Sequence, residues 1–131
     1  MTLDSSALVA ILFAEPGYLD LVDAILQADV VRVGTPTLVE TEIVLSARRG
    51  KPAAAEVQDL LEELHVTVVP FSESDWRTAA RAFERFGRGR HKAGLNFGDC
   101  LSYATAAVAS DSLLFVGDDF WSTDITPASV P

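Results

Sequence analysis

Residues 2–12, TLDSSALVAIL, open the chain with a short apolar run, stop it at an acid and then change period. Met1 to Leu3 fit a buried strand that ends at Asp4. SSALVAILFAE follows with helical spacing, and Ser5 or Ser6 is available as its N-cap. Strand, acid, helix is the pattern from which the rest of the chain is read.

The pattern recurs outward. Pro16-Gly17 interrupts the first helix, and YLDLVDAILQA restarts an amphipathic one with Leu19, Val22, Ile25 and Leu26 on one face. VVRVGT reads as a second strand. Pro36-Thr37 opens the helix LVETEIVLSARR, which Gly50 ends as a C-cap glycine does. PAAAEVQDLLEELH is a helix, and VTVVPF a β-branched strand closed by Pro70. Ser72-Glu-Ser-Asp75 is a capping-box pattern that starts a helix running to Gly87. RGRHKAGLN is a loop, GDCLSYATAAVAS a small-residue helix, LLFVG a fourth strand, and the tail from Asp118 is short and irregular. Strands separated by helices predict an α/β domain, with a central, mostly parallel sheet of about four or five strands flanked by helices. No repeat or linker divides the chain, so residues 1–131 are expected to form one domain.

Four acidic positions fall where strands end or helices begin: Asp4, Glu40, Asp99 and the pair Asp118-Asp119. Ligands in open parallel sheets bind outside the carboxyl ends of the strands, so one crevice could collect all four. Carboxylates that converge without a cationic side chain repel one another, and they either hold protons or share a bound cation. An all-oxygen set suits a hard divalent ion. Taken singly, each has a simpler use: Asp4 and Asp99 suit helix caps, and Glu40 suits a solvated helix face. The set carries the inference to metal-dependent phosphoester chemistry.

The net charge of −9 looks unsuited to nucleic acid, but its distribution matters more. All ten Lys and Arg residues lie between Arg32 and Lys92, and residues 93–131 contain none. Six fall in Arg77 to Lys92 against the single acid Glu84. Arg85, Arg88, Arg90, His91 and Lys92 form a candidate phosphate-contacting strip, with a solvated loop as the plainer alternative. No apolar run reaches membrane-span length and the start lacks a basic leader, which predicts a soluble cytoplasmic protein. The lone Cys100 excludes an internal disulfide and reads as core. His65 reads as structural and Asp124 as a turn or capping residue. Trp76, Phe83 and Phe86 have spacing suited to helix packing, the preferred reading, or to a dimer or partner groove.

LDSSALVAIL, LVETEIVLSARRG, RHKAGLNFGDCLSYATA and LLFVGDDFWSTDI, in this order and spacing, resemble the PIN-domain ribonucleases, specifically the VapC-type toxins of bacterial toxin–antitoxin pairs. The resemblance implies a PIN-like fold, with Asp4 and Asp99 as metal ligands and Glu40 as the third carboxylate. Asp118 or Asp119 is the fourth, with Asp119 favoured by its Asp-Phe pair. It also implies Mg²⁺ or Mn²⁺, endonucleolytic cleavage of RNA, a homodimer and a VapB-like antitoxin partner. Ser6 would hydrogen-bond a ligand or a bound water, and Arg85, Arg88, Arg90 and Lys92 would contact substrate. A metal-dependent nuclease or phosphatase acting on DNA or small phosphoesters is one alternative, against which only the family resemblance favours RNA. Two others are a catalytically silent PIN-like module and a receiver-like Mg²⁺-binding module. The silent module would have lost its acids. The receiver-like one needs an acid after a middle strand and a lysine after a late one, whereas VTVVPF ends without an acid and no Lys follows position 92.

Overall fold

The computed structural model describes residues 1–131. β1 (Thr2–Leu3) leads into α1 (Ser5–Leu12) and α2 (Tyr18–Gln27), then β2 (Arg32–Gly34), α3 (Thr35–Arg49) and α4 (Ala54–Glu63). β3 (Thr67–Val69), α5 (Glu73–Phe86), α6 (Phe97–Ala109) and β4 (Leu113–Leu114) complete the set, and Asp119–Ser122 form a 3₁₀ turn. The four strands make one parallel sheet in the order β3-β2-β1-β4. β1 is therefore central, and the chain's direction across the sheet reverses beside it, between β1 and β4. A crevice forms at such a reversal.

Local chemistry sets the element ends. Asp4 holds extended backbone and its Oδ2 accepts the Ser6 N–H at 3.0 Å, so the acid after β1 is the N-cap of α1. α3 starts directly after β2 with Pro36 in its first turn and stops at Gly50, whose φ of 69° is the left-handed C-cap conformation. α5 and α6 each begin with a capping box, Ser72 with Asp75 and Asn96 with Asp99.

Alternating side chains on the strands supply two faces. Leu3, Val33 and Leu114 pack with Leu8, Leu21 and Ile25 from α1 and α2. Leu113, the neighbour of Leu114, faces the other way, into a cluster with Ala82, Phe86, Leu95, Tyr103 and Phe120. A smaller cluster, Leu45, Ala53 and Val57, joins α3 to α4. The expected buried face of α2 is corrected here: Leu21, Ala24 and Ile25 are buried, whereas Leu19 and Leu26 are exposed. Both sets obey helical spacing, so the periodicity alone did not choose between them.

Candidate active site

The carboxyl ends of β1 and β4 are joined before any side chain is considered. The Asp4 N–H donates to the Leu114 carbonyl at 2.9 Å. Ser6 then ties the same two elements through its hydroxyl, which donates to Asp4 Oδ2 at 2.5 Å and accepts the Val116 N–H at 2.9 Å. Asp4 itself is 3 % exposed. Its Oδ2 is saturated by Ser6, while its Oδ1 is buried and has no hydrogen-bond partner. An unpartnered buried carboxylate oxygen is costly unless something else meets it.

Asp99 arrives from the start of α6. Its N–H donates to Asn96 Oδ1 at 2.9 Å, and its Oδ2 accepts the Asn96 N–H at 2.8 Å. Burial pushes its carboxyl up to about 6, and the charges of Asp4, Asp119 and Glu40 push in the same direction against the Asn96 backbone hydrogen bond. Glu40, on the second turn of α3, is also raised, by burial first and then by Asp4, with a Ser5 hydrogen bond opposing. The charges of Asp4, Glu40 and Asp119 thus all act on Asp99, and that of Asp4 also on Glu40. None of them takes part in the protein's six ion pairs.

Asp118 and Asp119 part company here. Both are exposed, but Asp119 starts the 3₁₀ turn and its charge acts on Asp99, whereas Asp118 precedes the turn. Gly98, between Asn96 and Asp99, lies against Glu40: a Cβ added there would stand 2.5 Å from each Glu40 carboxylate oxygen.

No three side chains of His, Cys, Asp or Glu close into a ready-made metal cage. The donor set nonetheless fits a hard divalent cation, which keeps several waters and needs only one or two carboxylates from the protein. The orphaned Asp4 Oδ1 is the observation that favours it, and Asp99, whose Oδ1 accepts no protein hydrogen bond, is its natural companion. Both acids also cap their helices, and each does so through Oδ2, which leaves Oδ1 without a protein partner.

The basic strip is divided. Arg85 is paired with Asp124 at 2.8 Å, and Asp124 also accepts the Tyr103 hydroxyl at 2.6 Å. Asp124 sits in a bend of the tail, as expected, and its side chain also clamps that tail onto α5 and α6. Arg88, Arg90 and Lys92 are exposed and unpaired on the loop between α5 and α6. That loop is ordered by a Gly87–Leu95 bridge, by His91 packed edge-on to Phe86, and by His91 Nδ1 accepting the Ala93 N–H. Glu84 forms no ion pair; Arg77 pairs with Glu73 instead.

Of the three aromatics read as packing, only Phe86 is buried. Trp76 and Phe83 are exposed. Trp76 joins Pro36, Val39, Ile43, Phe97 and Leu101 along a groove of about 610 Å³ that reaches Glu40 and Gly98. For Trp76 the groove, the second of the two readings open to it in the sequence, is the one the fold realises. The Asn96–Asp99 box has the spacing of a capping motif and could have been found in the sequence.

A family model of the PIN domain matches residues 1–125. Ribonuclease VapC30 of Mycobacterium tuberculosis is 39% identical over 132 residues, spanning 100% of both chains. Ribonuclease VapC of Mycolicibacterium smegmatis is 42% identical over 125 residues, covering 95% of this chain and 97% of its own. Among solved structures, the sarcin-ricin-loop-cleaving toxin VapC20 of M. tuberculosis superposes with a TM-score of 0.79 at 19% identity, over 99% of this chain and 98% of that one. A toxin–antitoxin complex from Klebsiella pneumoniae gives 0.67 at 16%, over 94% and 92%. At those identities the structures speak for the fold alone, and the sequence matches carry the assignment. The chain belongs to the PIN-domain family, in its VapC ribonuclease branch.

Proposed function

We propose that this protein is a Mg²⁺-dependent endoribonuclease that acts as the toxin of a toxin–antitoxin pair. The observation that carries the proposal is the buried Asp4 Oδ1 without a partner, set among Glu40, Asp99 and Asp119 with no cationic side chain to balance them. Asp4 and Asp99 are the residues that would hold the metal, Mg²⁺ or Mn²⁺. A divalent ion bound there would neutralise charge on the scissile phosphate and lower the pKa of water.

The protein's own groups supply the rest. Ser6 fixes Asp4, and Asn96 fixes Asp99, so both carboxylates are oriented before substrate arrives. Glu40, its carboxyl raised above the ordinary range, is suited to take a proton from the attacking water. Attack in line forms the new P–O bond as the bond to the 3′-oxygen breaks, leaving a 5′-phosphate and a 3′-hydroxyl. Asp119 adds its charge beside Asp99, and Arg88, Arg90 and Lys92, exposed on the α5–α6 loop, would hold the phosphate backbone. Arg85 is engaged by Asp124 and contributes through that clamp.

A partner protein fits the same molecule. The apolar groove beside Glu40, with Val39, Ile43 and Trp76 exposed along it, suits an amphipathic segment of an antitoxin. A second apolar groove, where Trp121 and Val130 are exposed, is available to a second copy of the chain.

The test is cleavage of an end-labelled mixed RNA pool by partner-free protein in Mg²⁺, in Mn²⁺ and in EDTA, with Asp4→Ala and Asp99→Ala alongside. Metal-dependent cleavage lost in both variants is expected. Equal cutting by wild type and variants would assign the activity to a contaminant. Folded wild type that binds the metal and cuts nothing would leave a binding module.

A further inference from the structure

Gly98 occupies the second position of α6, between the cap residue Asn96 and the site acid Asp99. Its backbone is not in the left-handed region that would demand glycine, unlike Gly50 or Gly94. Within a helix, alanine is the better residue by propensity, because glycine loses more backbone freedom on folding. Some other contact must account for a glycine here.

That contact is Glu40. An added Cβ would meet Glu40 Oε1 and Oε2 at 2.5 Å each, and the third-nearest atom is the same carboxyl's carbon at 2.7 Å. All three lie at the tip of one side chain, and the nearest obstacles include no backbone atom. A methyl group at position 98 would therefore leave α6 where it is and push the Glu40 carboxylate aside. We propose that Gly98 is a positioning residue, a flat seat on which the Glu40 carboxylate rests, and that it sets where the third acid of the crevice stands relative to Asp99. The proposal deepens the ribonuclease assignment and rests on it for the meaning of the seat, though not for its existence.

The two are separated by two readouts. The first is thermal melting of metal-free protein in EDTA for wild type, Gly98→Ala, Glu40→Ala and the double variant. With Glu40 present, the displaced carboxylate offsets the helix gain from alanine. Without it, the gain is unopposed. Gly98→Ala should therefore raise the melting temperature by about 2 °C or more beyond its effect in wild type when Glu40 is already alanine. The second readout is single-turnover RNA cleavage. Gly98→Ala should lower the rate roughly tenfold or more. In a Glu40→Asp background, where the shorter side chain has already withdrawn from the seat, the same change should cost less than about twofold. Equal melting increments in both backgrounds would overturn the seat whatever the activity. So would a Gly98→Ala protein that cleaves like wild type. If wild type cleaves no RNA with any metal, the ribonuclease assignment fails, while the melting cycle still decides the seat.

Discussion

Asp99 serves two demands that pull against each other. As the third residue of α6 it caps the helix through Asn96, which favours the charged carboxylate. As a neighbour of Asp4, Glu40 and Asp119 in a half-buried crevice, it is pushed toward the protonated form, and the second effect prevails. Its carboxyl titrates near 6 in the folded protein against 3.8 when exposed, so the folded state binds the extra proton between those values. The sign follows: stability of the metal-free protein falls as pH rises from about 4 to about 6, the reverse of a salt-bridged carboxylate. Asp99→Asn should flatten that limb and melt higher than wild type at pH 7 in EDTA, while losing cleavage. Melting curves across pH check both statements. Ser6 makes a second prediction. Ser6→Ala removes the hydroxyl from Asp4 Oδ2 and from the Val116 N–H, which should cost about 1–3 kcal/mol by denaturant titration. Cleavage should fall with it, since Asp4 would no longer be held.

Among the elements, the ends carry more information than the middles. Asn96→Ala removes the side-chain cap of α6, and a loss of about 0.5–2 kcal/mol is expected in chemical denaturation. The activity loss should exceed what that destabilisation explains, because Asp99 would lose its anchored partner at the same moment. The strand–helix alternation, the Ser72 box and the Gly50 stop were all legible in the residues, since each rests on chemistry within a few positions of the chain. Asp4 and Asp99 were legible for the same reason, each standing at a helix start, and Glu40 lies one turn further into its helix. What escaped depends on partners far away in sequence. Asp119 is told from Asp118 by its charge acting on Asp99, and Gly98 matters only because α3 brings Glu40 against it. Asp124 read only as a turn former because its partners, Arg85 and Tyr103, are 39 and 21 residues away. The exposed face of α2 was misjudged because two stripes of equal period were available.

At the scale of the whole molecule, charge is segregated rather than averaged. A chain of net charge −9 should bind RNA through the α5–α6 loop, so Arg88, Arg90 and Lys92 dominate the salt dependence. Replacing all three by alanine should weaken RNA binding at low salt and make the slope of log K against log salt shallower by about 2, at about 0.7 for each single-strand phosphate contact. Filter binding of catalytically dead Asp4→Ala protein over a salt series measures it. The sheet makes a further demand. β1 is central, yet its neighbour β4 is contributed by residues 113–114, and both the Asp4 backbone and the Ser6 hydroxyl close on that far end of the chain. Until those residues are present, the first acid has no fixed place and the crevice no second wall. The first acid is thus written at the start of the chain and put in place only by residues met 110 positions later.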